Sequence, residues 1–167
     1  WPPIKVGIGL NSGRVSVGNM GSEIRLAYTV MGDAVNIAAQ LQTLTREYGA
    51  DVLMGKDTAQ ALSVWATRPV DSVRFIGRRQ AIELYEPVGK KAQLSPQWVD
   101  ELALWQQVLE HYRAEHWAQA IEGLNTLLRN NPGCYLYALY KKRVTEFRDH
   151  PGLLRWDRSF YMAPRKI

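Results

Sequence analysis

Apolar and polar positions alternate with a strand period in the first part of the chain. Ile4, Val6, Ile8 and Leu10 are interleaved with Lys5, Gly7 and Gly9, the period of two that turns one face of a strand to a core. Asn11-Ser12-Gly13 supplies turn chemistry, after which Val15 and Val17 alternate with Ser16 and Gly18. A hairpin between these two strands is expected. Tyr28 to Met31 reads as a short strand, Gly32-Asp33 as a tight corner, and the residues up to Tyr48 as a helix stopped by Gly49. Val35, Ala38, Leu41 (or Gln42) and Tyr48 recur at helical spacing as its core stripe. Asp33 is expected as the N-cap, its carboxylate accepting backbone N–H bonds at the positive end of the helix dipole. Further strands are expected at Asp51–Met54, Val70–Phe75 and Ile82–Tyr85, the last two joined by Gly77-Arg78-Arg79-Gln80. A brief helix capped by Asp57 or Thr58 runs through Ala61-Leu62.

After this the period changes. Residues 90–96 are polar and without period, and read as a linker. Ser95-Pro96 then marks a helix start, with Ser as cap and Pro in the first turn. Leu102, Trp105, Leu109 and Tyr112 make one amphipathic helix, and Trp117, Ala120, Ile121, Leu124 and Leu127 a second, ended by Asn131-Pro132-Gly133. Tyr135, Leu139, Val144 and Phe147 lie on a third, ended before Pro151. The spacing of Trp117, Ala120, Leu124, Leu127 and Pro132 is similar to one tetratricopeptide unit. A single such unit cannot bury its own face, so these helices must dock on the preceding domain, on themselves or on a partner. The expected fold class is α+β, with residues 1–89 as one domain and 97–167 as a small helical extension.

Composition narrows the function without naming it. A hydrophobic content of 46% with six Trp and eight Tyr suits a packed core and argues against disorder. No apolar run approaches the ~20 residues of a membrane helix, and no signal-peptide pattern is present. The chain opens on Trp1-Pro2-Pro3 without an initiator Met and is expected to be a piece of a longer one. Cys134 is the only cysteine, so no internal disulfide forms. His111, His116 and His150 lack metal-ligand spacing. The net charge of +5 is spread over both halves with no basic stripe, which speaks against nucleic acid. The early glycines fit no Walker-type phosphate loop; close backbone approach accounts for them at least as well as a phosphate cradle.

Two runs carry a specific resemblance. Tyr28-Thr29-Val30-Met31-Gly32-Asp33-Ala34-Val35-Asn36-Ile37-Ala38-Ala39-Gln40 resembles the Y-T-x-x-G-D-x-V-N-x-A-x-R signature of class III nucleotidyl cyclases. Gly7 to Gly21 is similar to that family's G-I-G-x-x-x-G-x-V-x-x-G-x-x-G segment, and Ile82-Glu83-Leu84-Tyr85-Glu86-Pro87 resembles its closing strand. The resemblance implies the C-terminal part of a ferredoxin-like cyclase catalytic domain over roughly the first 90 residues. The helical tail, ending in Leu154-Arg155-Trp156-Asp157, resembles the extension of bacterial cyclases that carry an upstream sensor.

The resemblance also implies roles. Thr29 stands at the position that reads the purine edge; a hydroxyl there accepts from an exocyclic amine and favours ATP. Val30 would flank the base. Asn36 stands at the asparagine that positions the ribose, although an Asn early in a helix also serves merely to satisfy local backbone groups. Asn36 and Gln40 are four apart and share a helix face. Gln40 occupies the place of the family's transition-state arginine, whose loss typically costs on the order of 10³-fold in phosphoryl transfer. Ile76 replaces the lysine of the family's V-K-G turn, with Arg74, Arg78 and Arg79 near enough to substitute; Arg78 is the candidate for nucleotide binding, and an exposed hairpin tip is its alternative. The Mg²⁺ or Mn²⁺ ligands of the family lie on a segment with no counterpart here. The expected function is therefore a fragment of an adenylate cyclase that makes cyclic AMP and pyrophosphate from ATP for intracellular signalling. It is expected to be inert alone, to form a homodimer through the cyclase domain, and to lie in the cytoplasm, the parent being anchored to the inner membrane only through an upstream segment. The alternative is a degenerate cyclase-homology domain that binds nucleotide or a partner without turnover. A peptide-binding role for the helical tail is disfavoured, because one repeat offers little groove.

Overall fold

The computed structural model describes residues 4–22, 25–150 and 160–162. The first strand pattern condenses to a short β1 (Ile8–Leu10), followed by β2 (Ser16–Ser22) and β3 (Arg25–Met31). The expected pairing of the first two strands is not what forms. β2 and β3 pair with each other, antiparallel, as a separate two-stranded sheet with Val17 opposite Val30 and Gly18 opposite Thr29. β1 instead pairs in parallel with β4 (Val52–Gly55). The turn residues after β1 reach over to the later elements: Asn11 Nδ2 donates to the Ala34 carbonyl at 3.3 Å, and the Ser12 and Thr58 hydroxyls lie 2.9 Å apart.

The helix α1 spans Asp33–Tyr48 and ends at Gly49, as its period implies. Its buried positions are Ala34, Leu41, Leu44, Thr45 and Tyr48. The inward stripe is thus rotated slightly from the expected one, with Val35 and Ala38 half-buried at its margin. Gly9 shows why glycine belongs on β1: a Cβ there would run into the Ala38 carbonyl and the Gln42 amide of α1. This close approach of backbones is the structural reading of the early glycines. The brief helix α2 (Lys56–Ala61) follows Gly55 with no side-chain cap, so neither Asp57 nor Thr58 plays that part.

β5 (Trp65–Phe75) and β6 (Ile82–Lys90) form a longer antiparallel pair than the sequence pattern indicates. The sequence pattern starts this strand at Val70, yet it begins at Trp65 and runs through Pro69 with a register irregularity between Pro69 and Asp71. A proline is tolerated at such a bulge because no ladder hydrogen bond is asked of it. The five-stranded sheet has the order β1-β4-β6-β5-β7, where β7 is Phe160–Met162 and lies parallel to β5. The polar stretch after residue 90 forms a short 3₁₀ turn, Lys91–Gln93. Ser95 then caps α3 (Pro96–Arg113) as expected, accepting from the Trp98 N–H at 3.3 Å.

The helices α3, α4 (Trp117–Asn130) and α5 (Tyr135–Asp149) follow the predicted limits. On α5 the inward face is Leu136, Tyr137, Tyr140, Arg143 and Val144, whereas Tyr135, expected on that stripe, is exposed. Leu154 to Asp157 lies outside the described residues. The helices dock on the sheet, one of the three routes expected for them. Leu41, Leu44 and Tyr48 of α1, Val70, Val73 and Leu84 of the sheet, and Trp105, Leu109, Leu124, Tyr140 and Val144 of the helices belong to one continuous core. The bulge governs this docking. Along β5 the buried positions are Ala66, Arg68 and Val70, then Asp71 and Val73, so the alternation slips by one residue. The slip turns Asp71 inward and leaves two carbonyls for the helices: Trp105 Nε1 donates to Pro69 O at 2.7 Å and Tyr140 Oη to Val70 O at 2.8 Å.

Among the described residues no helix is long and apolar enough to cross a membrane.

Trp105 is fully buried, with its ring centroid 5.2 Å from that of Tyr137 and 4.9 Å from that of Tyr140. Trp105→Ala is expected to lower the free energy of unfolding by about 3–5 kcal/mol, measured as a shift of the urea midpoint.

Candidate functional site

The corner between β3 and α1 is built by Gly32. Its φ of 155° falls outside the range comfortable for residues with a side chain, and a Cβ would sit 3.0 Å from the Arg14 carbonyl. Gly32 also accepts, through its carbonyl, from the amides of Val35 and Asn36 at 3.1 and 3.3 Å, which starts the helix. Gly32 is therefore the N-cap, and Asp33 is the first residue inside the helix, making no side-chain cap bond. The expectation for Asp33 is corrected: its carboxylate is gripped by the Arg78 guanidinium through both oxygens, with Nη1 2.9 Å from Oδ2 and Nη2 against Oδ1. The charge still lies at the helix N-terminus, where the dipole favours it.

This ion pair brings together parts that lie 45 residues apart in sequence. Arg78 comes from the turn between β5 and β6 and is folded back over the start of α1. Its hydrogen bond holds the Asp33 carboxyl below its ordinary range, against a small opposing effect of burial, and the same bond raises the guanidinium. Arg78 is therefore neither a bare hairpin tip nor a free cation. Of its neighbours in that turn, Ile76 is exposed and apolar, Arg79 is exposed, and Arg74 is half-buried with contacts of its own.

The other candidates distribute around the corner. Thr29 and Val30 lie on β3 and are exposed, three and two residues before Gly32. Asn36 is exposed on the first turn of α1. Gln40, one turn on, is half-buried; its Oε1 is shielded from solvent and has no hydrogen-bond partner among the described residues. A buried carbonyl without a donor is unfavourable, and a guanidinium or an ammonium reaching it would relieve the cost. Thr29 and Val30 thus stand on the strand side of the corner, Asn36 and Gln40 on the helix side, and Arg78 above the helix start.

The described residues do not make a metal site. No three His, Cys, Asp or Glu side chains gather among them, and Asp33, the carboxylate at the corner, is already engaged by Arg78.

A second polar cluster escaped the sequence reading. Asp71, turned inward by the bulge, accepts from Tyr48 Oη and from Arg143 Nη1, each at 2.6 Å, while its own Oδ1 accepts from the Ser72 amide at 2.7 Å. Beside it Arg68 pairs with Glu86 and donates to Tyr137 Oη at 2.8 Å, and Tyr137 donates to Glu101 Oε1 at 2.7 Å. Burial pushes the Tyr48 and Tyr140 hydroxyls well above their ordinary range. Burial acts to lower Arg143, but the Asp71 carboxylate together with the Tyr48 and Tyr140 hydroxyls outweighs it, and the guanidinium is raised. The signal in the sequence was an aspartate inside an apolar strand, Val70-Asp71-Ser72-Val73.

No protein-family model matches the chain. Individual relatives do. The chain is 37% identical over 89 residues to adenylate cyclase 1 of Rhizobium meliloti, covering 53% of this chain and 13% of that one. It is 39% identical over 89 residues to the adenylate cyclase of Anabaena cylindrica, covering 51% of this chain and 18% of the relative. Among solved structures, a bacterial light-regulated adenylyl cyclase is 34% identical, covers 51% of this chain and 42% of that chain, and superposes with a TM-score of 0.43. The strand–corner–helix signature therefore sits in a stretch of about half the chain that is similar in sequence to adenylate cyclases. The chain spans less than a fifth of the length of these two curated relatives.

The Asp33–Arg78 pair has a testable pH signature. A depressed carboxyl contributes stability above its unfolded value, about 4, and loses it as the pH falls through the lower folded value. In Arg78→Ala the Asp33 titration midpoint, followed by carboxyl ¹³C NMR, is expected to move upward to the ordinary range. The wild-type midpoint is also expected to rise in high salt, because the pair is exposed.

Proposed function

We propose that this chain carries half of a nucleotide-cyclising site, and that the protein it belongs to converts ATP to 3′,5′-cyclic AMP and pyrophosphate in intracellular signalling. The observation that carries this reading is the signature run folded as strand, Gly32 corner and helix, in a chain 37–39% identical to adenylate cyclases over 89 residues. In the reaction the ribose 3′-oxygen attacks the α-phosphorus and pyrophosphate leaves. The protein's contribution to such a step is mostly positioning and charge stabilisation.

On this reading the Thr29 hydroxyl accepts from the adenine amine and Val30 flanks the base. The Asn36 side-chain amide, exposed at the helix start, orients the ribose. Gln40 offers a neutral amide where a fixed charge would serve better. Arg78 supplies the cation for the phosphates, and a triphosphate competes with the Asp33 carboxylate for it. Bound Mg²⁺ or Mn²⁺ would activate the nucleophile and neutralise phosphate charge; its ligands belong to a complementary segment, so this chain alone is inert. An uncovered apolar surface supports such a complement. Ile8 and Leu10 on β1, and Val17, Tyr28, Val30 and Met31 on the β2–β3 hairpin, are all at least 41% exposed. The reading places the complement in a second subunit of a cytoplasmic homodimer.

A second reading is a cyclase-homology domain that binds nucleotide or a partner without turnover. The unpartnered Gln40 Oε1 and the exposed Ile76 favour it. The test is cyclic AMP formation from ATP, with Mg²⁺ or Mn²⁺, by the full natural chain and by its Gln40→Arg variant. The cyclase reading expects low activity that Gln40→Arg raises severalfold, up to about 10³-fold. ATP binding without product from either protein selects the second reading.

A further inference from the structure

The signature helix is held at both of its ends by β5 and the turn that follows it. At the N-terminus Asp33 is bound to Arg78, just beyond the last residue of β5. At the C-terminus Tyr48 is bound to Asp71, at the bulge inside β5. The two pins differ in kind. The Asp33 side chain is 66% exposed, whereas Tyr48, Asp71 and Arg143 are 1%, 8% and 6% exposed. An exposed ion pair is screened and worth little, while a buried carboxylate is tolerated only with its partners in place. The buried pin therefore decides how α1 lies on the sheet, and its charge is completed by α5, a helix from beyond the cyclase-like half.

We propose that Arg143 on α5 is a positioning residue for the signature helix: by pairing with Asp71 it fixes Tyr48, and so helices α3–α5 set where the Asn36–Gln40 face stands. Three contacts at the same place support it. The Arg143 guanidinium lies 5.4 Å from the centroids of both the Tyr48 and the Tyr140 rings, and so fills the space between α1 and α5. Gly49, which ends α1 in a left-handed turn, abuts Tyr135 at the start of α5; a Cβ there would lie 2.8 Å from the Tyr135 Cβ. Tyr140 and Trp105 anchor the same helices to the Val70 and Pro69 carbonyls at the bulge. Tyr48 lies twelve residues further along the same continuous helix than Asn36, about 18 Å away. A rod of that length transmits a shift at Tyr48 to Asn36. The functional meaning rests on reading the Asn36–Gln40 face as a nucleotide half-site; the mechanical link does not.

The test is amide hydrogen exchange on this 167-residue chain carrying Tyr48→Phe, Arg143→Met or Arg143→Lys, with no nucleotide added. Tyr48→Phe keeps the ring and the Asp71–Arg143 pair and removes only the hydroxyl. The expected result is exchange about tenfold faster along Asn36–Tyr48, with Trp117–Asn130 of α4 unchanged. Arg143→Met is expected to do the same to a greater degree, and Arg143→Lys to recover part of the protection, since an ammonium still pairs with Asp71. Equal acceleration in α1 and α4, or none in α1, overturns the proposal. If Arg143→Met does not fold, Tyr48→Phe and Arg143→Lys decide it. Failure of the cyclase reading would appear separately, in the cyclic AMP assay.

Discussion

The bulge between Pro69 and Asp71 in β5 is the constraint from which the rest of the arrangement follows. A regular strand would have sent Asp71 to the face opposite Val70. With one residue of slip, Arg68, Val70, Asp71 and Val73 all face the helices, and the Pro69 and Val70 carbonyls remain available to Trp105 and Tyr140. Burying the Asp71 carboxylate is costly, and its attraction to Arg143 offsets that cost because Tyr48 and the Ser72 amide satisfy the remaining lone pairs. Leaving one partner out of such a set typically costs about 3–5 kcal/mol. The sheet, the signature helix and the C-terminal helices are thereby committed to one another.

That commitment changes how the two halves of the chain relate. The helices are no appendage hung on a finished sheet. Val70, Val73 and Leu84 would lie bare without them, and so would the end of α1 at Tyr48. The helix that carries the candidate site shares one core with the C-terminal helical layer. What the helices hold is the tilt of α1, and what α1 carries is the polar face of the candidate site.

The site itself is an assembly of half-measures. Its strand side and helix side are in place around Gly32, and Arg78 brings positive charge to the helix start. That charge is paired with Asp33. On the proposed reading Gln40 offers a neutral amide where a charged group would serve better, and its Oε1 has no hydrogen-bond partner among the described residues. On the proposed reading these residues hold a base and a sugar, and the groups that neutralise a triphosphate come from elsewhere.

Much of this was legible in the order of the residues. Local patterns determined the strand, corner and helix from Tyr28 to Tyr48, the Ser95 cap and the limits of α3, α4 and α5, because capping, helical period and glycine stops act within a few residues. The signature around Thr29, Asn36 and Gln40 was legible for the same reason. Pairing was not. Whether β2 meets β1 or β3, whether Asp33 caps its own helix or binds Arg78, and whether β5 begins at Val70 or reaches back to Trp65 depend on partners up to 45 residues away. The inward turn of Asp71 and its bond to Arg143 span 72 residues. Only the tertiary structure decided these, since desolvation and close packing select among partners that periodicity treats as equal.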